Sequence, residues 1–196
     1  MKSDTVIDIQ FKSKAKEFNS PFIPYLNTRN RYEVYYGGAG SGKSHFIAQK
    51  ILYRTLRERG HRYLVVRKVA RTNRHSTYDL FRSVIASWKL QPLFKIDKTE
   101  LDITLTVHGK SDNQILFTGL DDVEKLKSIA GITDIWVEEA SEISAEEFMQ
   151  LDLRLRTKSN YPNQIILSFN PVSAYSWLKK RFFDQHVENA SILKTT

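Results

Sequence analysis

Gly37-Gly38-Ala39-Gly40-Ser41-Gly42-Lys43-Ser44 fits the pattern G-x-x-x-x-G-K-[ST] at every fixed position, and four of these eight residues are glycine. That composition suits a loop wrapped closely round an anion, where side chains are excluded, positive φ values are needed and amide hydrogens turn inward. A helix beginning at the loop's end, through Ser44 and His45, adds unpaired N–H groups and the positive end of its dipole to the same anion. The implied ligand is a nucleoside triphosphate with its metal, ATP and Mg2+. Lys43 is expected to reach the β and γ phosphates, and the Ser44 hydroxyl to ligate the magnesium.

Two further sets of residues suit the same chemistry. Ile132-Thr133-Asp134-Ile135-Trp136-Val137 is an apolar run that ends in Glu138 and Glu139. A phosphate-loop hydrolase needs one carboxylate at a strand end to orient Mg2+ and a second group to position the attacking water. Glu138, last in the strand, is expected at the metal through water, and Glu139, turning off the strand, is expected as the catalytic base. Asp134 is the alternative carboxylate, ranked lower because it sits inside the strand. Leu167-Ser168-Phe169-Asn170-Pro171 is a second apolar run ending in small polar groups, with Pro171 blocking its continuation. Asn170 there could bond the γ phosphate or the lytic water, although Asn-Pro is also an ordinary turn signal.

The elements that must position these residues alternate along the chain. Tyr32 to Tyr36 reads as a strand entering the loop, and Ile47, Ile51, Leu52 and Leu56 recur at helical spacing after it until Gly60. Arg62 to Arg67 is a second buried strand, followed by a polar loop and a helix over 77–88. Leu101 to Val107 alternates strictly and pairs through a turn at 108–113 with Ile115-Leu116-Phe117 as a hairpin. A short helix is expected over 121–128, the strand to Glu138 follows, and Ser144 with Glu147 forms a capping box at the next helix. The last elements are a strand at 165–169 and a helix over about 175–183. Residues 1–30, with Lys12, Lys14, Lys16, Pro21 and Pro24, read as an arm and connector. This order predicts one α/β domain over 31–196, a mostly parallel sheet covered on both faces with one antiparallel hairpin. Ligands bind such sheets at the carboxyl ends of the strands, where all three motifs fall.

At 196 residues the chain can bury a core of its own, and a charged fraction of 27% is a globular value. No apolar run approaches a membrane span, no secretory pattern opens the sequence, and there are no cysteines, so a soluble intracellular protein is expected. The net charge of +8 points to a polyanionic partner. Much of it is local: Arg54, Arg57, Arg59, Arg62, Arg67, Lys68, Arg71 and Arg74 share a stretch whose single acid is Glu58.

The loop, Val65-Val66-Arg67-Lys68, Phe117-Thr118-Gly119-Leu120-Asp121, Ile135 to Ala140 and Ser168-Phe169-Asn170-Pro171, in this order, resemble the ATPase domain of phage terminase large subunits. The resemblance covers the chain from about residue 20. It implies a RecA-like (ASCE) P-loop fold, hydrolysis of Mg-ATP coupled to translocation of double-stranded DNA, and Ser168 to Asn170 as the coupling motif. It also implies portal protein and a small terminase subunit as partners, a homo-oligomeric ring, and action in the cytoplasm of the infected bacterium at the procapsid portal. Many terminases carry an arginine in the loop where this chain has Ala39, so a cation for the γ phosphate is expected from Arg67, Arg74, Lys125, Lys127, Arg154 or Arg156, in cis or from a neighbouring copy. No nuclease domain with clustered acids follows in this sequence, so no DNA cleavage is expected of it.

Three other readings share parts of the pattern. A helicase or AAA-type translocase shares the chemistry and basic surface but would unwind strands. A small-molecule kinase would need an acceptor pocket, whereas the glutamate favours water as acceptor. A nucleotide-gated assembly module would bind ATP without turnover.

Overall fold

The computed structural model describes residues 17–107, 110–171 and 176–196. Its centre is an eight-stranded sheet. In chain order the strands are β1 (Tyr32–Gly37), β2 (Arg62–Arg67), β3 (Phe94–Asp97), β4 (Asp102–Val107), β5 (Lys110–Gly119), β6 (Asp134–Glu138), β7 (Gln164–Phe169) and β8 (Ala190–Thr195). They lie in the order β3-β4-β5-β2-β6-β7-β1-β8. From β5 to β8 every neighbouring pair is parallel, and only β4 runs against its neighbours. The expected mostly parallel sheet is therefore present, and the expected hairpin, β4–β5, is extended by β3 into an antiparallel meander.

Helix α1 (Lys43–Arg57) follows the phosphate loop and packs on one face with α3 (Asp79–Ser87). Between them, α2 (Ala70–Asn73) runs into a π-helical turn, Arg74–Tyr78. The other face carries α4 (Val123–Ser128), α5 (Ala145–Arg154) and α6 (Trp177–Phe182). Strands buried on both faces need continuous apolar runs, and β6 and β7 are buried at every residue. The Ser144 capping box forms: Ser144 N–H donates to Glu147 Oε2 at 2.8 Å, and Glu147 N–H donates back to Ser144 Oγ.

Several elements differ from the sequence-based expectation. The polar stretch after β2 is helical, because Asn73 turns inward and serves the backbone in place of a loop's own turns. Strand β5 begins five residues early, at Lys110; the hairpin tip at 108–109, residues 1–16 with the arm lysines, and Tyr175 lie outside the described residues. Strands β3 and β8 were not anticipated, being short, polar-rich edge strands with little burial to pattern them. Residues 18–26, expected within the connector, place Phe18, Phe22 and Leu26 in the core, with the Phe22 ring stacked on Phe46 at 4.6 Å.

The largest departure is in α1. Lys50 and Arg54 lie on the same inward stripe as Ile47 and Ile51 and are buried. Lys50 Nζ donates to Glu33 Oε2, to Tyr25 O at 2.6 Å and to Thr28 Oγ1 at 2.8 Å, so all three protons are placed. Glu33 also accepts from Thr28, Tyr35 and Gln164. Arg54 bonds Gln164 and pairs with Glu58.

Glu58, just past α1, accepts from Arg29 and lies 2.7 Å from His61 Nε2, while His61 Nδ1 lies 2.7 Å from Asp134. Burial alone would raise the Glu58 carboxyl, but the hydrogen bond from Arg29, the charge of Arg54 and the bond to His61 outweigh it and hold the pKa at about 2. A depressed folded pKa stabilises above the unfolded value near 4.5, and that stability is lost as pH falls towards 2. Glu58→Gln is therefore expected to cost about 2 kcal/mol at pH 6. The gap between its thermal melting curve and that of the unaltered chain closes as pH falls from 4.5 towards 2; a gap constant over that window would contradict the assignment.

Candidate nucleotide site

Strand β1 ends at Gly37 and α1 starts at Lys43, so residues 38–42 turn the chain at the carboxyl edge of the sheet. Gly40 and Gly42 take φ of 78° and 82°, the left-handed region that favours glycine, and Gly42 sits at the N-cap of α1. Gly37 is demanded by a different constraint. A Cβ there would lie 2.1 Å from Thr195 O and 2.3 Å from Thr195 Oγ1, because β8 runs directly beside the loop. Thr195 Oγ1 also donates to Tyr36 O and lies 2.8 Å from Ser41 Oγ, so β8 braces the loop.

Lys43 points back under the loop. Its ammonium donates to the carbonyls of Gly37 and Gly38, both at 2.9 Å, and lies 3.2 Å from Ser41 Oγ and 3.3 Å from Asn170 Oδ1. Burial lowers its pKa, and the charges of Glu139 and Glu138 act against that. Ser44 Oγ donates to Glu138 Oε1 at 3.3 Å, linking the start of α1 to the end of β6.

The strand order explains why these residues meet. β7 lies between β1 and β6, with Tyr36 level with Phe169 and Glu138 level with Ser168. The end of β7 thus places Asn170 between the loop lysine and the two glutamates. A cleft of about 360 Å3 opens there, lined by Ala39 to His45, Leu80, Glu139 and Ser168 to Asn170. Gly37 and Gly38 contribute carbonyls beneath it rather than lining. Glu139 adopts φ 52° and ψ 51°, left-handed for a residue with a Cβ. That conformation costs roughly 1–2 kcal/mol and turns the side chain off the strand and into the cleft.

Glu138 is buried, and its carboxyl is raised by burial, lowered by Arg67 and raised again by Glu139. Arg67, at the end of β2, sets its Nε 3.3 Å from Glu138 Oε2 and its Nη2 3.6 Å from Glu142 Oε1. Ser76 Oγ lies 3.5 Å from the same Glu138 oxygen. A hydroxyl and one carboxylate, with phosphate oxygens completing the shell, suit Mg2+, which prefers few protein ligands and oxygen donors. Among the described residues no group of three acids or histidines could hold a metal by itself. Asp134 is excluded as the metal carboxylate: it opens β6, roughly 13 Å of strand from Glu138, and is committed to His61 and Thr133.

Of the cations considered for the γ phosphate, Arg67 touches the site. Arg74 is exposed on the π-helical turn, Arg154 donates to Leu126 O at 2.9 Å, Arg156 and Lys127 are exposed, and the Lys125 side chain lies outside the described residues. Thr195, Ser76 and Leu80 were missed from sequence. The first lies in an unanticipated strand, and the second in a stretch read as loop; Leu80 was assigned to a helix core.

A sequence profile described as phage terminase large subunit matches residues 29–196. The PBSX phage terminase large subunit of Bacillus subtilis is 36% identical over 170 residues, covering 86% of this chain and 38% of that protein. The fold is similar to that of a large terminase from a thermophilic bacteriophage, with TM-score 0.71, 16% identity and coverage of 85% of this chain and 41% of that one; that protein has also been solved with ATP-gamma-S. It is similar too to the Thermus phage P74-26 large terminase ATPase domain, with TM-score 0.67, 12% identity and coverage of 86% and 76%. The chain spans well under half the length of the first two relatives.

The clash at Gly37 gives a direct test of the loop's bracing. Gly37→Ala must push β8 and the loop apart, costing about 1–3 kcal/mol of stability. Fluorescent ADP titrations should show at least tenfold weaker binding, about 1.4 kcal/mol. Unchanged affinity would mean that β8 does not set the shape of the loop.

Proposed function

The chain belongs to the phage terminase large subunit family, and from that premise we propose that residues 31–196 form an ATPase domain that hydrolyses Mg-ATP to drive double-stranded DNA into a procapsid. The observation that carries this reading is the convergence of Lys43, Glu139 and Asn170 on one cleft at the sheet's carboxyl edge, with Glu138 bonded to Ser44 beside it. The loop amides of residues 38–45 and the start of α1 take the phosphates. Lys43 exchanges its two carbonyl acceptors for the β and γ phosphates, which as anions accept more strongly. Ser44, and Glu138 through water, would hold the magnesium, whose charge would offset that building on the phosphate oxygens. Glu139, aimed into the cleft by its left-handed backbone, orients the attacking water and takes its proton. Asn170, already beside Lys43, registers whether a γ phosphate is present.

Arg67 is engaged by Glu138 and Glu142, so its charge is committed to the metal side of the site. The cation that stabilises the γ phosphate is therefore assigned to a neighbouring copy in a homo-oligomeric ring at the portal, where the small terminase subunit delivers the DNA inside the infected cell.

Glu139→Gln is expected to keep nucleotide affinity while phosphate release falls by roughly 10²-fold or more, and Lys43→Ala to weaken binding itself. Normal turnover in Glu139→Gln, with loss in Glu138→Gln instead, would reassign the base. For the ring, specific activity should rise more than proportionally with protein concentration. High activity, flat on dilution to the monomer, would place the cation in cis and make Arg67 the residue to replace.

A further inference from the structure

The sequence from Arg59 to Tyr78 holds six lysines and arginines and no acid. Most of these charges are spoken for. Arg62 bonds Gln114, Arg67 faces Glu138, and Lys68 bonds Glu147. Arg71 and Arg74 are different: both are exposed, and among the described residues neither has a hydrogen bond or ion pair. They stand three residues apart on one helical face, with His75 exposed beside them.

The inner side of this segment is fixed. Asn73 is fully buried and donates to Val65 O at 3.1 Å and Thr118 O at 2.6 Å, clamping the segment across β2 and β5. Ala70 N–H donates to Asp121 Oδ1 at 2.7 Å, and Gly119 leaves the space that this close approach requires, since a Cβ there would lie 2.1 Å from Ala70 N. One turn further on, Ser76 faces the nucleotide site. Its single hydroxyl proton goes to Thr72 O at 2.9 Å and has a second acceptor, Glu138 Oε2, at 3.5 Å, while Arg67 Nη1 donates to its oxygen at 3.4 Å. Within the π-helical turn Arg74–Tyr78, Ser76 is half-buried while Arg74 and His75 are exposed.

We propose that Arg71 and Arg74 hold the sugar-phosphate backbone of duplex DNA, and that Ser76 ties their grip to the state of Glu138. Two guanidinium groups without a partner among the described residues, on an exposed stretch whose sequence holds no acid, suit phosphate oxygens and carry no base-reading geometry, as sequence-independent movement along DNA requires. The clamp at Asn73 makes the segment a short rigid lever. Magnesium held at Glu138 would withdraw an acceptor from Ser76, and the change would reach Arg74 within the same π-helical turn and Arg71 through the bond from Ser76 to Thr72. This inference rests on the DNA-translocation reading.

The test uses fluorescence anisotropy of a labelled duplex with the 196-residue chain, titrated from about 50 to 200 mM salt with and without Mg-ATP-gamma-S. The Arg71→Ala/Arg74→Ala double variant should lower the slope of log K against log salt by about 2, and the Arg71→Lys/Arg74→Lys variant should retain it. Ser76→Ala should keep the slope but lose the difference between nucleotide-free and nucleotide-bound affinity. An unchanged slope in the alanine variant, with its melting curve intact, overturns the assignment and leaves the ATPase reading standing. No duplex binding by the unaltered chain at the lowest salt overturns the DNA reading with it.

Discussion

Three cations on one helix face set the terms for this fold. Lys43, Lys50 and Arg54 fall at positions i, i+7 and i+11 of α1, all turned towards the sheet and all buried. A buried charge is tolerated only when it is paired and its protons are placed, so each cation dictates what surrounds it. Burial brings the Lys50 ammonium down to about 8, against the opposing pull of Glu33, and its three partners leave no slack in the rotation of α1 against β1. Arg54 and the Glu58–His61–Asp134 chain pin the far end of the helix to β6. Lys43, at the near end, is then delivered under the loop without freedom to swing away.

The same geometry separates structure from chemistry along the sheet. The amino ends of the strands hold charges paired with one another, with Gln164 and Asn113 adding hydrogen bonds, although Arg54 Nη2 and Asp134 Oδ1 are buried without a hydrogen-bond partner among the described residues. The carboxyl ends hold charges whose present partners are replaceable: loop carbonyls for Lys43, and a serine and an arginine for Glu138. Phosphate oxygens would be stronger acceptors for Lys43, and a divalent cation a stronger partner for Glu138. Trp136, buried in β6, donates to Ser168 Oγ at 2.9 Å and so fixes the spacing of β6 and β7 just beneath the glutamates and Asn170.

The place of the candidate site was legible in the sequence because the loop, the Glu-Glu strand end and Ser168 to Asn170 are contiguous motifs at strand ends, and the sheet brings those ends together. Alternation of strands and helices gave the parallel sheet. The buried face of α1 was only half legible: Ile47 and Ile51 mark it, but no local pattern marks Lys50 and Arg54 as buried, because their partners, Glu33 and Gln164, lie 17 and 110 residues away. Strand β8 was hidden by its polarity, since an edge strand is specified by pairing with β1 and by Thr195 against the loop rather than by an apolar run. Ser76 was hidden because its polar stretch, read as loop, is helical and is held by Asn73 against backbone carbonyls far along the chain.

The central claim is that this cleft turns over ATP in response to DNA rather than merely holding nucleotide. Steady-state phosphate release by the unaltered chain, measured with Mg-ATP alone, with single-stranded DNA and with duplex DNA of the same length, tests it most directly. The account predicts turnover that depends on Mg2+ and is stimulated by the duplex above the single strand. Tight nucleotide binding with no phosphate release under any of the three conditions would contradict it and leave a nucleotide-gated assembly module as the reading that fits.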